Sequence, residues 1–379
     1  MINMFFIRKL FTYLVYCIFL TLAGINAYGA KADTLLNGLT LETKVHYGFI
    51  YPHHKAIEYL LGGNIKGFEI NLSTHSFGRH PWEELYRYPR YGVGYNFTDF
   101  ANPKILGYAH GFFGYIDIPF YRPKGNFSFN YQVDGGVSYI TEKYEIYNNP
   151  LDLAISSSVD VYIGLDFIAR LKIDKKHEIK TALELTHYSN GKWRSPNLGL
   201  NTVTISAAWL YSLKPSQVPR SQPFFDGYKR NFTEILLNTG FKRDDLLNEK
   251  LYMISSAIID YYRGFSPKYA YGGGVDFFYD PSLAPTREYE EDTIGSNSDN
   301  FQIGTHLGFR IRYNRLSIIL NAGYYCHANF YKYSRIYSRL GMRYTLTDNI
   351  LINFTLKAHY AIADYIEWGI GYRFNSKGK

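Results

Sequence analysis

The sequence predicts an all-β protein, an outer-membrane antiparallel β-barrel of about 14 to 16 strands, on three observations. Apolar and polar residues alternate with period two along almost the whole chain beyond its first 27 residues, the mark of strands with one apolar and one polar face. The alternating runs are about 9 to 15 residues long, beyond the ~5 to 6 usual in soluble sheets and matched to the ~9 to 11 that a tilted membrane strand needs. The third observation is compositional: 18% of the residues are aromatic, with 38 Tyr and 27 Phe, while only 20% are charged. Outward aromatic girdles around a polar interior give such an average.

At the N-terminus, residues 1–27 read as a secretory signal. Arg8 and Lys9 precede an apolar run from Leu10 to Leu22, followed by small residues around Ala23, Gly24 and Ala27. The run is too short to span a membrane comfortably as a helix, and no later segment approaches the ~20 consecutive apolar residues that a spanning helix needs. Membrane residence therefore has to come from strands, and residues 28–379 read as a transmembrane barrel, either a single one or a small barrel with an appended second half.

Strands are expected near 42–50, 66–75, 91–99, 105–118, 126–139, 159–170, 179–189, 201–209, 231–242, 250–262, 268–278, 301–312, 316–326, 333–346, 350–361 and 364–374. The alternation is cleanest where Val159, Val161, Ile163, Leu165 and Phe167 interleave with Asp160, Tyr162, Gly164, Asp166 and Ile168. With both termini in the periplasm, the turns 174–176, 314–315 and 347–349 fall inside and the long loops 140–157 and 279–300 outside, as in bacterial outer-membrane barrels. Two long inner connections, 76–90 and 214–230, fit that rule badly, and a short helix or a miscounted strand would account for either. The last strand carries Ile366, Trp368, Ile370, Tyr372 and Phe374 on one face, which resembles the aromatic-rich final strand of outer-membrane proteins.

The net charge of +8 is dispersed, with no dense Lys/Arg block, so nucleic-acid binding is not expected. Cys17 and Cys326 are the two cysteines, and the first lies in the signal, so neither a disulfide nor a cysteine-ligated metal is expected. The sequence calls for no metal or organic cofactor.

One hairpin concentrates the chemistry. Ile179, Thr181, Leu183 and Leu185 lie on one face of a strand, and His187 and Ser189 continue that face. After the turn, Asn201, Val203, Ile205, Ala207 and Trp209 share a side. A base, a hydroxyl and an amide thus project from the apolar side, and a lipid-facing site predicts a lipid substrate. At ~3.3 Å per residue and a tilt of ~40°, the steps from Ile179 to His187 climb about 20 Å of an apolar band about 25 Å tall. That places His187 and Ser189 at the outer rim, at the depth of the ester bonds of lipopolysaccharide.

The run His187-Tyr188-Ser189-Asn190-Gly191, followed by Pro196-Asn197 and Gly199, resembles the active-site hairpin of the lipid A 3-O-deacylases, the PagL-like family also called acyloxyacyl hydrolases. The specific match covers about 15 residues. The rest of the chain, including Pro52-His53 and Trp82 to Tyr91, is similar to the longer, Bacteroidetes-type members. The resemblance implies an outer-membrane barrel that hydrolyses an ester-linked acyl chain of lipid A in the outer leaflet, with Ser189 as nucleophile and His187 as general base. It aligns Asn190 and Gly191 with the oxyanion-stabilising positions. The family's third member, a glutamate at or next to the position of Asn201, is missing, since Gly199, Leu200 and Asn201 occupy that stretch.

The residues support the chemistry independently. Positions i and i+2 of a strand share a face with Cα atoms about 7 Å apart, so an imidazole reaches a neighbouring hydroxyl. Base and hydroxyl together suffice for nucleophilic ester cleavage through an acyl-enzyme. Asn190 and the Gly191 amide are candidate oxyanion donors. Asn201 has the right parity to orient the imidazole, as an amide does in Cys-His-Asn proteases. Glu184 is nearer in sequence, but its odd spacing from His187 sends it into the lumen. Trp193 and Arg194 are candidates to grip a lipid A headgroup or phosphate, although a Trp at a barrel rim is by default an interfacial anchor. Trp82, Tyr86 and Tyr88 read as anchors too, and His53 and His54 as loop surface. The competing function is a passive outer-membrane pore whose polar lumen conducts solutes and whose hairpin is inert. The hairpin's outward parity argues against it.

Overall fold

The computed structural model describes residues 37–123, 125–214, 216–217, 219, 231–243, 250–360 and 362–375. The expected signal segment, 1–27, lies outside the described residues. Sixteen strands follow one another: β1 (Thr40–Tyr51), β2 (Ile65–His75), β3 (Arg90–Asp99), β4 (Tyr108–Pro119), β5 (Phe127–Ile140), β6 (Val159–Lys172), β7 (His177–Ser189) and β8 (Leu200–Ser212), then β9 (Asn231–Arg243), β10 (Leu251–Gly264), β11 (Tyr269–Tyr279), β12 (Phe301–Tyr313), β13 (Leu316–Ala328), β14 (Ile336–Thr345), β15 (Ile350–His359) and β16 (Ile362–Asn375).

The all-β class and the count of sixteen agree with the sequence reading, but the single barrel does not. β8 pairs back onto β1 from Thr40↔Ser212 to Tyr51↔Asn201, and β16 pairs back onto β9, so the chain closes twice into two antiparallel barrels of eight strands. Each closure pairs the backbone groups that an open sheet leaves at its edges. The ill-fitting connection 214–230 is explained by this, because it joins the two barrels. The other, 76–90, holds the short helix Pro81–Leu85.

Alternation sets the two faces of each wall. Val45, Leu183, Ile205, Leu237, Phe277 and Ile352 are exposed on the outer surface, while the residues between them turn inward and are buried. An eight-stranded barrel is just wide enough for its own side chains, and here the interior is filled by ion pairs. In the first barrel Lys44 Nζ lies 2.7 Å from Glu69 and 2.6 Å from Glu184, and Lys180 Nζ lies 3.0 Å from Glu42. In the second, Arg310 Nη2 lies 2.6 Å from Glu234, Arg343 Nη1 bridges Glu234 and Asp260, and His306 lies between Asp260 and Asp276. Burying such charges is tolerable only because each is paired. Interiors filled in this way argue against the solute-conducting pore.

The barrels stand side by side with like ends together. At the short-turn end, the Tyr86 hydroxyl donates to the Arg312 carbonyl at 3.0 Å and the Tyr86 ring lies 4.3 Å from that of Tyr313. Tyr86, expected as an interfacial anchor, is instead buried at this junction. At the long-loop end, Arg243 N–H donates to the Lys192 carbonyl at 3.3 Å. There the loops of the first barrel fold over its mouth, packing Ile57, Leu60, Phe100, Leu106 and Ile155 against Tyr188 and Leu200.

Candidate active site

The antiparallel register of β7 and β8 puts His187 directly opposite Asn201, and Ser189 follows His187 by two residues on the same wall face. The structure brings all three together. Ser189 Oγ is 2.9 Å from His187 Nε2, and His187 Nδ1 is 2.6 Å from Asn201 Oδ1. The line continues: Asn201 Nδ2 is 2.8 Å from His53 Nδ1, and His53 Nε2 is 2.7 Å from the Leu198 carbonyl. One set of neutral tautomers satisfies every contact. Ser189 donates to His187 Nε2, His187 Nδ1–H to Asn201, Asn201 Nδ2–H to His53 Nδ1, and His53 Nε2–H to Leu198. Burial holds the His53 imidazole below its ordinary value of 6.5, which favours the neutral form this line requires.

His53 is the residue that sequence reasoning missed. It lies just past the end of β1, where loop surface is the natural reading. No sequence signal pointed to it: only the register of β1 with β8, set by closure of the barrel, pairs Tyr51 with Asn201 and places the residues after Tyr51 beside the site.

The turn after Ser189 is stitched to the loop before β6. Asn190 Nδ2 donates to Ser156 Oγ at 3.0 Å and to the Arg194 carbonyl at 3.1 Å, while Asn190 Oδ1 accepts from Lys192 N–H at 2.8 Å. Its own N–H donates to Asn197 Oδ1 at 3.1 Å. Leu198 and Gly199 N–H donate to the carbonyls of Leu153 and Ala154. The Asn190 side chain therefore shapes the turn, and among the described residues none accepts a hydrogen bond from the Gly191 N–H. Gly199 is required for two reasons: its φ is +75°, and a Cβ there would lie 3.0 Å from His187 Cε1.

The remaining candidates separate. Trp193 and Arg194 are exposed on the turn, with Trp193 half accessible. Glu184 is buried inside the barrel, bound by Lys44, Thr204 and Ser206, away from the imidazole. Ligand atoms of His46, Glu69 and Glu184 come within 4.8 Å of one another inside the same barrel, but the Lys44 ammonium already supplies the positive charge between the two carboxylates. On the outer wall, on the same face as His187, an apolar groove of about 430 Å³ runs between Phe120, Phe129, Phe167, Leu183 and Ile205.

This geometry has a counterpart among known families. Residues 66–209 match the family model described as lipid A 3-O-deacylase (PagL), and residues 231–376 match the model described as acyloxyacyl hydrolase, C-terminal domain. The chain belongs to the lipid A 3-O-deacylase family. It is thus a member of an ester hydrolase family, and its two matched regions fall on the two barrels, the first on β2–β8 and the second on β9–β16. No curated protein sequence matches the chain.

Among solved structures, a mutant of the Rh. blastica porin is 9% identical, covering 89% of this chain and 99% of the porin at a TM-score of 0.17. The siderophore receptor PirA from Pseudomonas aeruginosa is also 9% identical, covering 89% of this chain and 81% of the receptor at a TM-score of 0.21. Likenesses at these scores carry no argument about function.

Proposed function

We propose that the chain is an outer-membrane serine esterase that removes an ester-linked acyl chain from lipid A of lipopolysaccharide, through an acyl-enzyme on Ser189. The observation that carries this reading is the 2.9 Å contact between Ser189 Oγ and His187 Nε2 on the outward, apolar face of the first barrel. A lipid ester approaching within the outer leaflet meets the nucleophile from that face, and the apolar groove on the same wall offers its acyl chain a surface.

His187 Nε2 takes the Ser189 proton as Oγ attacks the ester carbonyl carbon. The Gly191 N–H is the donor offered to the resulting oxyanion. Collapse breaks the bond to the sugar oxygen, which receives the proton from His187 and leaves as an alcohol. Water, deprotonated by the same imidazole, then attacks the acyl-serine; the bond to Ser189 Oγ breaks, the imidazolium returns the proton to Oγ, and the fatty acid leaves. Asn201 Oδ1 holds Nδ1–H throughout, keeping Nε2 free to accept, which is the role of the third residue in such sites. The exposed Trp193 and Arg194 lie on the turn where the headgroup would rest.

Mass spectrometry of lipid A from cells producing the wild-type chain or Ser189→Ala tests the reading. The wild type should remove one acyl chain and the variant none. Unchanged lipid A in both would remove the proposal.

A further inference from the structure

The turn that carries the Gly191 amide is built against the second barrel, and three contacts of different kinds make the joint. The first is steric. A Cβ on Gly191 would lie 2.3 Å from Ile366 Cδ1, so the turn seats its bare backbone on that side chain. Ile366 belongs to the outward apolar face of β16, with Trp368 and Ile370, but is only half exposed where they are open. The second contact is the hydrogen bond from Arg243 N–H, at the end of β9, to the Lys192 carbonyl at 3.3 Å. In the third, the Lys192 ammonium bonds the Tyr333 hydroxyl and lies 4.7 Å from the centre of the Tyr333 ring. Tyr333 is supported from behind by the His359 ring at 5.2 Å.

Gly191 and Lys192 both have positive φ, +61° and +69°. The left-handed conformation costs a non-glycine residue about 1 kcal/mol or more, so Lys192 holds it only where its surroundings impose it. Its N–H is held from within the turn by Asn190 Oδ1, while its carbonyl is met by β9 and its ammonium by the β13–β14 loop.

We infer that the second barrel is a positioning element of the first barrel's active site, with Ile366 and Tyr333 clamping the 190–192 turn so that the Gly191 N–H faces the carbonyl attacked by Ser189. The inference rests on the esterase reading for its catalytic consequence, but the clamp itself is a property of the turn. Ile366 and Tyr333 act through the turn and touch no reacting atom.

The test uses the full-length protein in detergent micelles with a short-chain lipid A ester, and compares Ile366→Ala, Ile366→Val, Tyr333→Ala and Tyr333→Phe. Loss of a well-placed oxyanion donor lowers kcat by about 10² to 10³, and a loosened one should lower it by about tenfold. Ile366→Ala and Tyr333→Ala should lose kcat to that extent with KM within about twofold, while Ile366→Val recovers most of the rate. Tyr333→Phe, which keeps the ring packed on His359 but loses the hydroxyl that meets the ammonium, should fall between wild type and Tyr333→Ala. Hydrogen exchange over residues 190–195 reads the clamp without catalysis and should quicken in both alanine variants, with strand amides of the two barrels unchanged. Unchanged exchange in Ile366→Ala, or kcat unaltered in both alanine variants of an active enzyme, overturns the inference. If the wild type cleaves no ester while Ile366→Ala still loosens the turn, the esterase reading fails and the clamp stands.

Discussion

His187 and Asn201 face each other directly across β7 and β8, with Nδ1 and Oδ1 2.6 Å apart. An amide thus stands where a carboxylate would leave the imidazole more basic. Asn201→Ala should lower kcat by about tenfold to a hundredfold, less than the ~10⁴ that misassigning the tautomer costs a serine protease, because His187 keeps its contact with Ser189. Asn201→Asp should retain activity and move the acid limb of the pH profile upward. A carboxylate beside an imidazole favours its charged form, so the neutral base would be present only at higher pH. A profile that stays in place or moves to lower pH would contradict the assigned role. Kinetics of the two variants across the acid limb decide it.

His53 supplies the acceptor for Asn201 Nδ2. His53→Ala should leave that amide free to turn and reduce kcat by about tenfold with little change in KM. In the wild type, burial lowers the His53 pKa below 6.5, so the neutral ring is kept as pH falls towards that value and is lost only below it. Once protonated, Nδ1 becomes a donor facing another donor, and the line to Asn201 breaks. Removing the titrating group with His53→Asn, whose side-chain oxygen also accepts, should flatten the most acidic part of the kcat profile. The same slope in both proteins would show that His53 does not titrate into the reaction.

Gly199 is set by space as well as by dihedral, since its absent Cβ would lie 3.0 Å from His187 Cε1. Gly199→Ala adds about 1 kcal/mol of backbone strain and pushes on the His187 ring. The expected outcome is a kcat loss of about a hundredfold, well beyond the ~1 kcal/mol of barrel stability that the strain removes. Paired measurements of rate and of the urea midpoint in detergent check it. Equal losses in both would assign the glycine to folding alone.

Inside the first barrel, Lys44 is held between Glu69 and Glu184 at 2.7 and 2.6 Å. Lys44→Met leaves two buried carboxylates without their counter-charge, which costs about 3 to 5 kcal/mol when a buried pair is broken. Urea unfolding in detergent should show that loss. Adding Glu184→Gln to Lys44→Met should recover part of it. Activity per folded molecule should hold, because Glu184 faces the interior and the site faces out.

The strands, their number and the outward parity of His187 and Ser189 were legible in the sequence because alternation is a local property: a strand's side chains point to opposite faces whatever it pairs with. The same parity sorted Asn201 from Glu184, and the structure places one beside the imidazole and the other beside Lys44. Closure was not legible. Nothing in the alternation says that β8 returns to β1 rather than running on into β9, so one barrel and two read alike. His53 was hidden for a related reason, standing 148 residues from Asn201 and meeting it only because that closure sets β1 beside β8. The seat of Gly191 on Ile366 depends on how two closed surfaces dock. Local pattern decides which way each side chain points; long-range pairing decides which of those side chains meet.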